Sequence, residues 1–570
     1  LVDALQYVLD QQPECINPLE ILQVCLELLS DTTIPGLLLE QISEISDLII
    51  INYTDVITES QAVLGPLLQV YFQYAMATFD PQEEEFDCSS TTHNIYSSIF
   101  VEFAKYPTIL AFIWEIISKI ISEPAGRFAA IAAIFYSLLD GKDFYEQKVD
   151  EISQLLVQGL SDDIPVTGIV SANAIAALAQ SQKKHIKKVS SGLLSALFQR
   201  IQTLPRHELI LAIDAIAAAG DLGSTFGALF QALTQLIQIP DVQIQIDVLK
   251  CLADMVRYSP KQARHCFTEI IQMCTQILST PDAEVLASHA ISVLSFLIES
   301  SPKLFEPYIE QFLQIITQNL DSTDDNIIYE SITGYGHLLL HFPAQIRGSI
   351  PTVFPKLLQF SNQTIDKIDN DEDIFYGDSN QDLDKVAEPK INVITASIRV
   401  LAQALSTYPE LINDNFEAVM TAIQNQVSRT RDSDVEKGCA EGCANLITGI
   451  QSVGFNENTK PLMSRIVEVL VEIASMENSE SPTVGAAFTG ISDIIASDEN
   501  FGISCIDAKQ WPLLFKEIEA VFTEGGKLFL MDGLDYMEEL HDPAMRVIRE
   551  IIAAKKNESI QLILPFVTLF

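Results

Sequence analysis

The sequence predicts an all-α fold, a HEAT-repeat solenoid in which antiparallel helix pairs stack into a curved superhelix. Three observations predict it. Apolar stripes recur at helical spacing, short breaks containing Asp or Pro separate them, and these breaks return with a period near 41 residues. One amphipathic helix pair cannot bury both of its apolar faces, so neighbouring pairs must stack into a continuous core. We expect one array over residues 1–570, holding about 13 such units.

The clearest repeats lie between residues 226 and 346. In one unit, an apolar stripe runs from Phe267 to Leu278 and a second runs from Leu286 to Ile298. The next unit has stripes at 309–320 and 327–339. Each unit is therefore predicted to be two amphipathic helices joined by a short turn.

Two markers measure the period of the repeat. An aspartate opens the second helix of three successive units: Asp241, Asp282 and Asp324. A proline follows the end of that helix: Pro260, Pro302 and Pro343. Within each set the spacing is 41 or 42 residues, and proline ends helices because it lacks the backbone N–H. The next such proline, Pro409, comes 66 residues later, which predicts an insertion.

The remaining chain follows the same rhythm, with two acidic insertions. Further helix pairs are predicted at 109–139, 149–180, 193–219, 416–450, 462–495 and 511–540. The insertions lie near 80–92 and 366–390, and they contain Glu83, Glu84, Glu85, Asp371, Glu372 and Asp373. Each insertion is either a solvated loop or a mobile anionic arm that contacts a basic partner.

The charge balance narrows the class of partner. Lys and Arg number 34 and Asp and Glu number 77, giving a net charge of −43. Such a polyanion is a poor candidate for direct nucleic-acid binding, because phosphate contacts require positive charge. Basic protein partners suit it, since electrostatic attraction would speed their capture. The alternative is that the charge only keeps a long chain soluble.

Membrane and compartment signals are weak. No apolar run reaches the roughly 18–20 residues that span a bilayer, and no signal peptide is present. Nine scattered cysteines suggest no disulfide framework, which favours a reducing compartment. The chain begins with Leu1 and ends in an apolar run, and both ends look cut from a longer protein.

No pattern for catalysis or cofactor binding is present. Phosphate-binding, dinucleotide-binding, nucleophile-elbow and zinc-protease motifs are all absent from the sequence. His337 and His341 have a metal-compatible spacing but no third ligand nearby. Cys439 and Cys443 flank small residues, which favours tight helix packing over a zinc site. We therefore predict a protein that is not an enzyme and holds neither metal nor cofactor.

One basic cluster stands out in this acidic chain, at Lys183-Lys184-His185-Ile186-Lys187-Lys188. It falls at a predicted connection between repeats. It is either a solvated turn whose cations suit a helix C-terminus, or a docking patch for an acidic partner.

The candidate binding surface is the polar face of the predicted second helices. On the helix at 326–340, Asn326, Glu330 and His337 lie away from the apolar side. On the helix at 434–450, Asp434, Glu441 and Asn445 share a face. Carboxylates suit Lys and Arg side chains, and amides suit an extended peptide backbone. The alternative is that these residues are ordinary solvent-facing polar groups.

These features resemble the importin-β (karyopherin-β) family of nuclear transport receptors, and the importin-5 branch in particular. The stretches that carry the resemblance are 28–31, 55–58, 83–87, 128–133, 149–152, 160–162, 324–331, 393–396 and 435–441. Segment 83–87 is similar to a shortened form of the family's acidic loop.

The resemblance implies a shuttling import receptor found in cytoplasm and nucleus. Such receptors hold basic nuclear localisation signals, as in ribosomal proteins or histones, on an acidic concave surface. They cross the pore by contacting Phe-Gly nucleoporins and release cargo when Ran-GTP binds. The family's main Ran site lies in repeats that precede residue 1 here. The alternative function is a HEAT-repeat scaffold of another assembly, such as a phosphatase or ubiquitin-ligase regulator.

Overall fold

The computed structural model describes the chain as a succession of α-helices. The described residues are 17–29, 36–77, 79–83, 86, 99–204, 206–220, 222–280, 284–364, 380–429, 432–476, 481–497, 501–523 and 534–555. They form helices and short connections, and no strand lies within these ranges. The helices group into two compact units, Leu1–Ser279 and Thr280–Phe570.

The first unit contains twelve numbered helices. They are α1 (Pro18–Leu29), α2 (Gly36–Glu59), α3 (Gln61–Ala77), α4 (Pro107–Ile120), α5 (Pro124–Ser137), α6 (Val149–Leu160), α7 (Pro165–Ser181), α8 (Ile186–Thr203), α9 (His207–Ala219), α10 (Phe226–Leu236), α11 (Val242–Tyr258) and α12 (Phe267–Leu278). From α4 onward the helices alternate as first and second members of the predicted pairs. Helix α2 is kinked at Tyr53, where φ is −130° and ψ is 29°.

The second unit continues the alternation. Its numbered helices are α13 (Glu284–Ser300), α14 (Ile309–Asn319), α15 (Asp325–His341), α16 (Ile350–Ser361), α17 (Asn380–Thr407), α18 (Ile412–Arg429), α19 (Ser433–Val453), α20 (Lys460–Ser475), α21 (Ser481–Ser497), α22 (Trp511–Phe522) and α23 (Leu534–Lys555). Every helix pair predicted from the apolar stripes corresponds to an observed pair. The predicted HEAT-repeat architecture is therefore confirmed.

Aspartates start the second helices as predicted. Asp241 accepts a hydrogen bond from the backbone N–H of Ile244 at 3.1 Å, and Asp324 accepts one from Asn326 at 2.8 Å. Asp432 caps α19 in the same way. Such caps satisfy helix N–H groups that have no carbonyl partner, and each contributes about 1 kcal/mol. Asp282 lies outside the described residues.

The prolines mark connections between repeats, and the structure adds a detail to that prediction. Instead of an open loop, Pro260, Pro302 and Pro343 each begin a four-residue helix that leads into the next pair. Proline suits this position because the first turn of a helix leaves its N–H groups unpaired. Ser259, just before Pro260, is buried and accepts a hydrogen bond from the backbone N–H of Leu222 at 2.9 Å.

Second helices are buried on more than one side. Most second helices pack against their own first helix and against neighbouring second helices. First helices such as α14 bury a narrower stripe, formed by Ile309, Phe312 and Ile316. Each large side chain buried in this way contributes about 1.5–3 kcal/mol.

Helix α19 packs closely on α17 because glycines of α19 leave room for side chains of α17. A β-carbon placed on Gly438 would lie 2.4 Å from Thr395 Cγ2, and one on Gly442 would lie 2.8 Å from Ile398 Cγ2. Cys439 and Cys443 are fully buried beside these glycines. The tight packing predicted for this segment is confirmed.

The second acidic insertion differs from its prediction in one respect. Helix α17 begins at Asn380, so residues 380–390 of the predicted insertion are helical. The apolar pattern missed them because residues 380–388 carry few apolar side chains, and periodicity detects only helices with an apolar face. Residues 365–379 lie outside the described part of the chain.

Candidate functional site

The predicted binding residues lie on two second helices of the second unit. Asn326 and Glu330 are on α15, and Asp434, Glu441 and Asn445 are on α19. Helix α17 packs between these two, against α15 on one side and α19 on the other. The three helices therefore form one layer, which we call the α15–α17–α19 layer.

Asn326 and Asp434 occupy equivalent places. Each is the second residue of its helix and is exposed. Their backbone N–H groups bind the capping carboxylates of Asp324 and Asp432, at 2.8 and 3.0 Å. Because the caps hold these first turns in place, the two side chains point from fixed positions at the same end of the layer.

Glu330 is the most perturbed of the predicted residues. Burial raises its pKa to about 7, and a hydrogen bond with Ser292 of α13 opposes the rise. Its neighbour Tyr329 also has a raised pKa, chiefly because of burial and then because of the charge on Glu330. A carboxyl group that titrates near neutrality changes the charge of this surface within the physiological pH range.

Glu441 is engaged by a residue that sequence reasoning missed. Arg399 of α17 places Nε 2.5 Å from Oε2 of Glu441, and both side chains are about 40% exposed. The charge of Arg399 also opposes the rise in the pKa of Tyr329 on α15. Arg399 thus acts on both flanking helices. A single arginine within an apolar stretch of a second helix was the sequence signal that could have identified it.

The remaining predicted residue of α19 is Asn445, one turn after Glu441 on the same side and half-buried. His337, two turns after Glu330, is also half-buried, and burial lowers its pKa while Glu299 opposes the change. Among the described residues, no three potential ligands come together to hold a metal ion. The layer presents carboxylates, amides, Arg399 and Lys437.

The predicted acidic insertions are only partly described. Glu83 follows a turn in which the backbone N–H of Gln82 binds the Asp80 carboxylate at 2.8 Å. Phe86 is buried and packs edge-on against Phe128 of α5, with ring centroids 6.0 Å apart. The acidic residues between and beyond them lie outside the described ranges: Glu84, Glu85, Asp371, Glu372 and Asp373.

The first unit carries its own acidic second helices, which sequence reasoning did not identify. Burial and the neighbouring carboxylate of Asp254 on α11 raise the pKa of Asp214 on α9 to about 7, while Lys250 opposes the rise. A hydrogen bond between the two carboxyl groups adds to the rise in the pKa of Asp214 and opposes the rise that burial causes in the pKa of Asp254. Asp247 is 3% exposed and accepts a hydrogen bond from Gln243 at 3.0 Å.

No helix in the described part of the chain is both long and apolar enough to cross a bilayer.

In comparisons with known proteins, the chain matches solved structures, but its sequence matches no family model and no curated protein. The solved structure of Kap121p matches with a TM-score of 0.77 at 12% identity, covering 100% of this chain and 58% of that one. The karyopherin Kap121p bound to the extreme C-terminus of the phosphatase Cdc14p matches with a TM-score of 0.74 at 12% identity, with coverages of 96% and 57%.

Kap121p bound to Nup53p also matches, with a TM-score of 0.74 at 12% identity, covering 96% of this chain and 56% of that one. The present chain therefore spans little more than half the length of these structures. At this identity the likeness shows a shared HEAT-repeat fold.

Proposed function

We propose that this chain is the repeat array of a nuclear transport receptor, and that it carries basic protein cargo between cytoplasm and nucleus. The observation that supports it most is the α15–α17–α19 layer, where Glu330, Asp434 and Glu441 lie on a chain of net charge −43. Solved karyopherin structures that share the fold hold protein segments and a nucleoporin. The importin-5 branch remains part of the proposal.

Recognition in this proposal is by charge and by hydrogen bonding. Lysine side chains of a localisation signal approach Asp434, Glu330 and Glu441, while Asn326 and Asn445 bond the extended backbone of the signal. Arg399 limits the attraction at Glu441 because its positive charge repels lysine. Phe-Gly nucleoporins and Ran-GTP complete the proposed set of partners, with Ran-GTP releasing the cargo.

The test is binding of a lysine-rich signal peptide, measured by fluorescence anisotropy. Wild type should bind, and binding should weaken steeply as salt rises. The double substitution Asp434→Lys with Glu441→Lys should weaken binding at least about tenfold, since it converts attraction into repulsion. Glu306→Lys with Glu310→Lys makes the same change of charge elsewhere in the second unit and should have a small effect.

If both double variants weaken binding equally, total charge explains the binding and the α15–α17–α19 layer is not the site.

The second candidate function is a HEAT-repeat scaffold of another assembly. The HEAT-repeat fold by itself favours this function as much as it favours transport. Immobilised Phe-Gly repeats separate the two. A transport receptor should be retained by them, whereas a phosphatase or ubiquitin-ligase scaffold should pass through.

A further inference from the structure

Five exposed lysines cluster at two successive connections between repeats of the first unit. They are Lys142, Lys183, Lys184, Lys187 and Lys188. Lys142 begins a short helix between α5 and α6, Lys183 and Lys184 lie between α7 and α8, and the other two lie in the first turn of α8. The whole chain has only 34 basic residues against 77 acidic ones, so this concentration is a distinct local feature.

The two connections line an open, cleft-like cavity of about 550 Å³. Its walls include Lys142, Lys183 and Lys184, together with Glu146, Gln182 and His185. A space of this size admits several side chains of an extended peptide, and it is within the range of ligand-binding clefts. Three lysines therefore line a concave surface.

Hydrogen bonds fix the cavity walls to each other. Gln182 is 3% exposed, and its Nε2 donates to the backbone carbonyl of Lys142 at 2.7 Å. His185 Nε2 lies 2.8 Å from the Glu146 carboxylate. The two contacts tie the connection before α8 to the one before α6. A preformed cavity loses little conformational freedom on binding, which favours affinity.

Among the described residues, these lysines form no close ion pair. In the part of the chain that the structure describes, no carboxylate lies within 4.0 Å of any of the five ammonium groups. Glu146 is occupied by His185, and Glu151 is occupied by Lys148 at 2.9 Å. Three lysines and one glutamate line the cavity, so its lining carries a net positive charge on an otherwise acidic protein.

We propose that this cavity is a docking site for an acidic peptide segment, rich in Asp and Glu, of a partner protein. Charge complementarity selects the ligand: carboxylates spaced along an extended peptide would meet Lys142, Lys183 and Lys184, which line the cavity. Lysines are compact charges on flexible stems, so they tolerate varied carboxylate positions. The site does not depend on the proposed carriage of basic cargo.

The experiment is fluorescence anisotropy with a labelled peptide rich in Asp and Glu. Wild type should bind it, with affinity falling as salt rises. Lys183→Glu with Lys184→Glu should reduce affinity at least about tenfold. The matched control, Lys303→Glu with Lys509→Glu, changes two exposed lysines of the second unit and should leave affinity within about twofold. All four side chains are exposed, so the fold should be retained in both variants.

Three results would overturn the site. One is no binding by wild type, and another is an equal loss in both double variants. A third is displacement of the peptide by a single-stranded polynucleotide at equal or lower charge concentration, which would make the cavity a nucleic-acid site. Failure of the acidic-peptide site can be told apart from failure of the proposed cargo binding. The double variant Asp434→Lys with Glu441→Lys should weaken binding of basic peptide and leave binding of acidic peptide intact.

Discussion

Arg399 and Glu441 join two consecutive second helices through an ion pair of 2.5 Å. The pair lies within the candidate binding layer. Because both side chains are about 40% exposed, the pair contributes little to stability. Its larger effect is on recognition, since Arg399 supplies the positive charge that an incoming lysine would have to displace.

Removing this arginine should improve binding of basic peptide. Arg399→Gln leaves Glu441 free for lysine and should tighten binding about twofold to fivefold, or roughly 0.5–1 kcal/mol. Anisotropy with the lysine-rich peptide measures the change. Arg347→Gln is the matched control, because Arg347 also forms an exposed pair in the same unit, with Glu410 at 2.6 Å. If both variants tighten binding equally, net charge alone explains the gain.

Glu330 should make binding of basic peptide depend on pH. Its pKa of about 7 means that the carboxyl group gains its negative charge as pH rises from 6 to 8. Affinity for a lysine peptide without histidine should therefore rise about threefold or more over this interval. Glu330→Gln should remove that rise. Parallel pH profiles for wild type and the variant would exclude Glu330 from the surface that contacts the peptide.

Asp214 should lower the stability of the first unit at alkaline pH. Its pKa is raised from 3.8 to about 7 in the folded chain, so the folded state holds a proton that the unfolded state releases. The stabilisation that protonation provides is full below pH 3.8 and is lost as pH rises to about 7. Asp214→Asn should therefore raise the free energy of unfolding at pH 8 by about 1 kcal/mol, and by less at pH 4.

Chemical denaturation at the two pH values checks this expectation. Asp150→Asn, at an exposed carboxylate of α6 in the same unit, should change stability by less than about 0.5 kcal/mol at either pH. A gain for Asp214→Asn that is equal at pH 4 and pH 8 would contradict the titration argument.

Side chains at Gly442 should disrupt the contact of α19 with α17. Gly442→Ala places a methyl group 2.8 Å from Ile398 Cγ2, and the strain should cost about 1–3 kcal/mol. Gly192→Ala provides the opposite case, because nothing lies within 4 Å of a β-carbon at this mid-helix position of α8. That variant should gain about 0.5–1 kcal/mol from helix propensity. Thermal unfolding of both proteins measures the difference in sign.

Local sequence signals were sufficient to predict the repeat architecture. The caps at Asp241 and Asp324 and the prolines at 260, 302 and 343 mark helix ends, and helix ends depend on neighbouring residues in the chain. Apolar stripes predicted most helix pairs for the same reason, but they did not identify the pair formed by α16 and α17. The first part of α17 was missed because a helix without an apolar face leaves no periodic signal.

The pairings within the candidate site could not be predicted in this way. Arg399 meets Glu441, and Asp214 meets Asp254, across neighbouring second helices whose rotation and register depend on packing. The sequence places each of these residues on a helix but does not specify the partner across the layer. The predicted roles of Asn326, Glu330 and Asn445 in cargo binding stay predictions.

The buried thiols of Cys439 and Cys443 can report when α19 separates from its neighbouring helices. Burial raises the pKa of Cys443 to about 12 and that of Cys439 as well, so a maleimide can reach a reactive thiolate only when α19 lifts away from its neighbours. The labelling rate of these two sulfurs would therefore measure how often α19 transiently separates from its neighbouring helices, without any introduced probe.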